Sequence, residues 1–68
     1  MYLRDLLNKV ELDSVVYIKD DDTEEVLYND YVVFSSRFIE NYGDEYYVAY
    51  IKNNADYLYI LVRSKEDD

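Results

Sequence analysis

The sequence predicts a small α+β domain with the order helix, two strands, helix, two strands. Apolar residues recur at the 3.6-residue helical spacing near the start of the chain. Later segments are rich in β-branched and aromatic residues and are separated by short polar turns, as is typical of strands. At 68 residues the chain has room for one domain, which we place at residues 1–63, with a polar acidic tail at 64–68.

The first helix is predicted from one apolar stripe. Leu3, Leu6, Leu7 and Val10 fall on the same side of a helix, and charged residues fall on the other side. The helix is expected to end near Leu12 and Asp13.

The first hairpin follows this helix. We predict a strand over residues 14–19, a turn over residues 20–23 and a second strand over residues 25–28. After an interruption at residues 29–30, the second strand is expected to continue over residues 31–34.

A second helix and a second hairpin complete the fold. Ser35 and Ser36 are candidate N-cap residues, and Gly43 is expected at a C-cap with positive φ. Strands over residues 46–52 and 57–63 flank a turn. We therefore predict an antiparallel four-stranded sheet with both helices packed on one face.

Alternation along the strands divides the side chains between two faces of the sheet. In the third strand both sets are apolar, and Tyr47, Ala49 and Ile51 are assigned to the core. The predicted core also contains Leu6, Leu7, Val16, Ile18, Phe38, Ile60 and Val62. The outward aromatic set is Tyr17, Tyr46, Tyr50, Tyr57 and Tyr59.

The outward tyrosines have two interpretations. Tyrosine is a good strand residue whose hydroxyl tolerates water, so the face could simply be solvated. Tyrosine is also enriched in contact surfaces, so the face could bind a partner or form a homodimer, and the chain would then be a homo-oligomeric structural or accessory protein. Lys19, Lys52 and Arg63 surround these tyrosines.

The net charge of −9 is concentrated in part of the chain. Residues 13–30 hold seven carboxylates and one lysine. This charge could serve solubility alone, or it could form a phosphate-like array that binds a basic protein. The candidate partner-binding acids are Asp20, Asp21, Asp22, Glu24, Glu25, Asp30, Glu40, Asp44 and Glu45.

Composition disfavours several other classes of function. The chain has no histidine and no cysteine, which removes the commonest general base and the commonest soft metal ligands. The acidic turn lacks the glycine and the spaced glutamate of an EF-hand. We expect no enzyme activity, no metal, no cofactor, no membrane segment and no direct contact with nucleic acid, and a cytoplasmic location.

The layout resembles short uncharacterised proteins from phages and prophages of Gram-positive bacteria. The matching segments are Leu3–Leu7, Val15–Ile18, Thr23–Tyr28, and the late strands Tyr46–Ile51 and Tyr57–Val62. The resemblance implies an accessory phage protein. Small acidic phage proteins often look like inhibitors of host nucleic-acid-binding machinery, anti-CRISPR proteins among them, so the resemblance is compatible with an inhibitor or DNA mimic that occupies a basic nucleic-acid-binding surface of a host protein.

Overall fold

The computed structural model describes residues 1–65 and has the predicted α+β class and order of elements. The third connection contains an extra 3₁₀ turn. The elements are α1 (Leu3–Leu7), β1 (Val15–Asp20), β2 (Val26–Tyr31), the 3₁₀ turn (Val32–Phe34), α2 (Ser36–Tyr42), β3 (Tyr46–Asn53) and β4 (Leu58–Ser64).

The four strands form one mixed sheet in the order β2-β1-β4-β3. The hairpins β1–β2 and β3–β4 are antiparallel, but the central strands β1 and β4 are parallel. The prediction of a purely antiparallel sheet was therefore wrong. The physical reason is the connection between the hairpins. It contains a helix and is long enough to cross back to the other end of the sheet, so β3 runs in the same direction as β2. The partners of these two edge strands, β1 and β4, are then parallel to each other.

The core is one cluster of buried apolar side chains. The alternating residues Val16 and Ile18 of β1 and Ile60 and Val62 of β4 are all buried, which confirms their assignment. Leu7 is buried with them, whereas the predicted core residues Leu6 and Phe38 are only partly buried against the cluster. The sequence assignment omitted two buried residues, Leu3 and Val32.

The first helix is shorter than predicted. It ends at Leu7, and the segment after it turns away. Two backbone bonds redirect this segment, because the N–H of Val33 donates to Leu12 O at 3.0 Å and the N–H of Val32 donates to Ser14 O at 2.9 Å. Backbone carbonyls in residues 12–14 thereby accept hydrogen bonds from the 3₁₀ turn, and these residues do not extend α1.

The second strand also differs from the prediction. β2 runs without interruption through Asn29 and Asp30 to Tyr31, and residues 32–34 form the 3₁₀ turn instead of more strand. The irregularity lies nearer the hairpin turn, where the register between β1 and β2 shifts after Ile18.

A bulge in β3 changes which of its side chains face the core. The register with β4 shifts between Val48 and Tyr50, so Ala49 has no direct partner. Val48 lies opposite Val62, and Ile51 lies opposite Ile60, so both side chains are on the core side of the sheet. The assignment of Tyr47, Ala49 and Ile51 to the core was therefore wrong: Ile51 lies on the core side but is 42% exposed at the sheet edge, and none of the three belongs to the core cluster.

Gly43 does not have the predicted positive φ. Its φ is −60°, and it is buried where α2 approaches α1. Arg4 N–H donates to the Gly43 carbonyl at 2.9 Å. A Cβ on this residue would lie 2.5 Å from Ile39 O and 3.0 Å from the Arg4 Cβ. Close approach of the backbone, and not a left-handed conformation, explains the glycine.

Replacing Gly43 by alanine is expected to lower the free energy of unfolding by about 1–3 kcal/mol, because a backbone oxygen must move to make room for the methyl group. Denaturant unfolding measures the change. Asn41→Ala, at an exposed position of the same helix, is the control and should change stability by no more than about 0.5 kcal/mol. A Gly43→Ala variant as stable as the parent would contradict the steric explanation.

The predicted polar tail was placed at residues 64–68, but its first residue, Ser64, is the last residue of β4. Lys65, after the end of β4, contacts Glu45: its N–H donates to Glu45 O at 3.0 Å and its ammonium lies 3.7 Å from the Glu45 carboxylate. The rest of the predicted tail, residues 66–68, lies outside the described residues. Within residues 1–65, no helix is long and apolar enough to cross a membrane.

Candidate interaction surfaces

The turn between β1 and β2 is held by Asp20, a residue that is only 7% exposed. Asp20 Oδ1 accepts hydrogen bonds from the N–H groups of Asp22 at 2.8 Å and Thr23 at 3.3 Å. The Asp20 backbone also bonds both ways across the turn, to Glu24 N and Glu25 O. Asp20 was expected to be exposed to a partner. Instead its carboxylate satisfies the turn, as aspartate at the first position of a turn commonly does.

The rest of the turn exposes three carboxylates, on Asp22, Glu24 and Glu25. Thr23 Oγ1 accepts a hydrogen bond from Glu25 N at 3.2 Å, which adds to the bonds made by Asp20. Glu24 has a φ of 62° and is the one non-glycine residue with positive φ in residues 1–65. The turn therefore presents its exposed acids from a fixed backbone.

Three other predicted acids have cationic neighbours within the chain. Asp21 accepts from the guanidinium of Arg63 at 3.1 Å, and Asp44 accepts from Arg4 at 2.8 Å. The hydrogen bond and charge of Asp44 raise the pKa of Arg4. Glu45 faces Lys65, as described above. These pairs are exposed and add little stability, but they reduce the negative charge available to a partner.

The last two predicted acids lie away from the turn. Asp30 is opposite Val16 in the register of β1 and β2, and its Oδ1 accepts from Tyr31 N at 2.7 Å. Glu40 is exposed on α2. Of the nine predicted acids, the structure thus groups Asp22, Glu24 and Glu25 as exposed carboxylates on one element.

Tyr28 shows how the end of β2 is fixed. Its hydroxyl donates to Tyr31 O at 2.6 Å, and its ring stacks on Phe38 at 5.1 Å. Burial, with a smaller effect from the charge of Asp30, raises the pKa of Tyr28 above its usual value of 10.

The second surface is the sheet face opposite the buried set Val16, Ile18, Ile60 and Val62, here called the open sheet face. Strand registers place its side chains, and none of them belongs to the core cluster of residues 1–65. They are Val15, Tyr17 and Lys19 of β1, Val26, Asn29 and Tyr31 of β2, Tyr47, Tyr50 and Lys52 of β3, and Tyr59, Leu61 and Arg63 of β4.

Four of the five predicted outward tyrosines are associated with this face. Tyr17 and Tyr59 are register partners on the central strands, with ring centroids 5.5 Å apart. Tyr57 lies 5.8 Å from Tyr17, and Tyr50 is 51% exposed on β3. Tyr46 was assigned to this face wrongly: it packs against the core cluster, because the bulge reverses the side chains that precede it.

Tyr47 occupies the position expected for Tyr46. Its ring stacks on Tyr2 at 4.7 Å, where residues 1–2 extend the sheet edge along β3. Beside it the bulge leaves a groove of about 660 Å³ on the open sheet face. The groove is lined by Asp21, Tyr47, Val48, Ala49, Tyr50, Leu61 and Arg63.

A further apolar patch was missed by the sequence analysis. Leu12 and Phe34 are 64% and 67% exposed. Val33, which precedes Phe34 in the chain, joins them because its N–H donates to Leu12 O. Tyr31 contacts Phe34 edge-on at 6.3 Å. The missed signal is that two consecutive apolar residues, Val33 and Phe34, cannot both face a core from one strand.

Residues 1–65 contain no group of three or more acidic, histidine or cysteine side chains that could hold a metal ion. No protein-family model matches the sequence, and comparisons with curated proteins and with solved structures found no match. The function is therefore inferred from the acidic turn and the open sheet face themselves.

Proposed function

We propose that the chain is a non-catalytic protein-binding module whose β1–β2 turn binds a basic surface of another protein. The binding carboxylates are those of Asp22, Glu24 and Glu25. In this proposal both helices cover the core side of the sheet, which leaves the turn and the open sheet face to solvent. The partner is a nucleic-acid-binding protein, and the module occupies the partner's basic groove, where the phosphates of the nucleic acid would otherwise bind.

The observation that carries this proposal is the backbone of Glu24. A left-handed conformation costs an ordinary residue about 1–2 kcal/mol, and glycine or asparagine adopts it more readily. Glu24 is nevertheless charged, exposed and located at the outside of the turn. Residues in such conformations cluster at functional sites, so a carboxylate kept at this cost favours a role in binding over one in folding.

The rigid turn explains how binding would work. Hydrogen bonds to Asp20 Oδ1 and Thr23 Oγ1 fix the backbone before a partner arrives, so little conformational entropy is lost on binding. Carboxylates of one sign attract a cationic groove and speed association, and salt screens that attraction over about 8–10 Å. If the resemblance to phage proteins holds, the module acts as an inhibitor in the cytoplasm of the host cell.

Replacing Glu24 by asparagine should have opposite effects on folding and binding. The free energy of unfolding of the variant is expected to be higher by up to about 1 kcal/mol, because asparagine tolerates the left-handed backbone. It is expected to bind an immobilised arginine- and lysine-rich peptide several-fold more weakly, because one turn carboxylate is gone. Denaturant unfolding and surface plasmon resonance at low salt measure the two effects.

The control is Glu25→Gln, which removes a neighbouring charge where φ is not positive. It should weaken binding without stabilising the fold. If Glu24→Asn binds the peptide as tightly as the parent, the proposed role of this carboxylate is wrong. If it binds more weakly but gains no stability, the strain attributed to Glu24 is wrong.

A further inference from the structure

The open sheet face differs in charge from the rest of the molecule. The chain has 16 acidic residues, yet none of the twelve strand positions on this face is acidic. Its charged side chains are Lys19, Lys52 and Arg63, and Arg63 is paired with Asp21 from the adjoining turn. This is the one sheet face on which the strands present no carboxylate to an approaching molecule.

The middle of the face is aromatic and apolar. Tyr17 and Tyr59 meet across the central strands, and Leu61 follows Tyr59 by two residues on the same side. Tyr50 lies opposite Leu61 on β3, beside the bulge groove. An apolar, aromatic centre with a polar, solvated rim is the usual anatomy of a protein–protein interface.

The size of the face suits a small dimer. Four strands spaced by about 4.8 Å and six residues long at about 3.3 Å each cover roughly 20 × 20 Å. That is a projected area of roughly 400 Å², to which the relief of the side chains adds, and a standard interface buries about 800 Å² on each side. Most of the face would have to be buried to reach that area, which fits one flat surface meeting its own copy.

We propose that two copies of this chain associate through their open sheet faces around Tyr17, Tyr59 and Leu61, related by a two-fold axis. The net charge of −9 makes two copies repel each other, which favours a contact through a surface without carboxylates. At the open sheet face the strands carry no acid to desolvate. The association would also add a second apolar layer to a domain with a small core.

This proposal does not rest on the proposed function, and salt separates the two. Binding of the acidic turn to a basic partner should weaken as salt rises. Self-association should strengthen, because salt screens the repulsion between two acidic copies and leaves the apolar contact intact. Sedimentation equilibrium of the full chain, from low to high micromolar concentration at two salt concentrations, should show a rise to twice the monomer mass, at lower protein concentration in high salt.

Two variants and a control identify the surface. Leu61→Glu places facing carboxylates at the centre and should raise the dimer dissociation constant at least about a hundredfold. Tyr50→Glu changes an exposed position of the edge strand, which the fold should tolerate, and should raise it about tenfold or more. Phe34→Glu changes an exposed aromatic residue on the 3₁₀ turn, outside the open sheet face, and should leave the dimer unchanged. Circular dichroism verifies that each variant is folded.

A chain that stays monomeric at every concentration and salt would overturn the proposal. So would a dimer that is lost in Phe34→Glu but kept in Tyr50→Glu, since the apolar patch on the 3₁₀ turn would then be the interface. Binding of a single-stranded oligonucleotide to a monomeric chain, abolished by Tyr50→Glu, would assign the face to nucleic acid and would equally overturn it.

Discussion

Replacing Ile60 by alanine is expected to lower the free energy of unfolding by about 2–5 kcal/mol, the usual cost of truncating a buried aliphatic side chain. Ile60 has no exposed surface and lies on central strand β4 between Ile18 and Ile51. A single core of this size rarely supplies more than about 3–5 kcal/mol in total. Much of the variant should therefore be unfolded at room temperature.

Ile51→Ala provides a matched control, because Ile51 is the same residue type directly opposite Ile60 but is 42% exposed on edge strand β3. Its loss should cost clearly less, since less apolar surface is returned to water. Thermal unfolding followed by circular dichroism compares the two variants. Equal shifts, or an Ile60→Ala variant that melts with the parent, would show that the core is placed wrongly.

Reversing Asp22, Glu24 and Glu25 together to lysine is expected to abolish binding to the arginine- and lysine-rich peptide, a loss of at least about a hundredfold in affinity. The three positive charges would face a cationic surface, and like-charge contacts cost several kcal/mol, where about 1.4 kcal/mol corresponds to tenfold. Asp20 is left unchanged, because its carboxylate holds the turn. The variant should remain folded.

Surface plasmon resonance at low and high salt measures this loss, and circular dichroism verifies the fold. The parent should also be displaced from the peptide by duplex DNA, since both offer anionic groups to the same cations. A triple variant that is folded and still binds would exclude the turn as the contact and leave the open sheet face as the candidate surface.

The strands and most of the core were predictable because their signal is local. Val16, Ile18, Ile60 and Val62 alternate with other side chains in segments rich in β-branched residues, so each strand indicates its own buried face. The direction of the central pair was not predictable in this way. Whether β1 meets β4 parallel or antiparallel depends on how two hairpins associate, and neither strand encodes that locally.

Tyr46 and Asp20 show two other limits of prediction. A bulge at Ala49 reverses the face of every residue on one side of it. The bulge could not be predicted from the alternation of residue types, because both faces of this strand are apolar. Asp20, Asp21 and Asp22 are the same residue type, yet Asp20 is buried in the turn, Asp21 is half-buried beside Arg63, and Asp22 is exposed at the surface with its N–H bonded to Asp20. Only the position at which the turn begins distinguishes them.

The most direct test compares two triple reversals that change the net charge equally. One replaces Asp22, Glu24 and Glu25 by lysine in the β1–β2 turn. The other replaces Glu11, Asp13 and Asp56 by lysine; these three residues are exposed and lie outside that turn. Their affinities for the same arginine- and lysine-rich peptide are measured at one salt concentration. If the turn is the binding element, its reversal abolishes binding while the matched reversal lowers affinity by no more than about tenfold. Equal losses in the two variants would show that net charge alone governs binding and would contradict the assignment of the turn as a binding site.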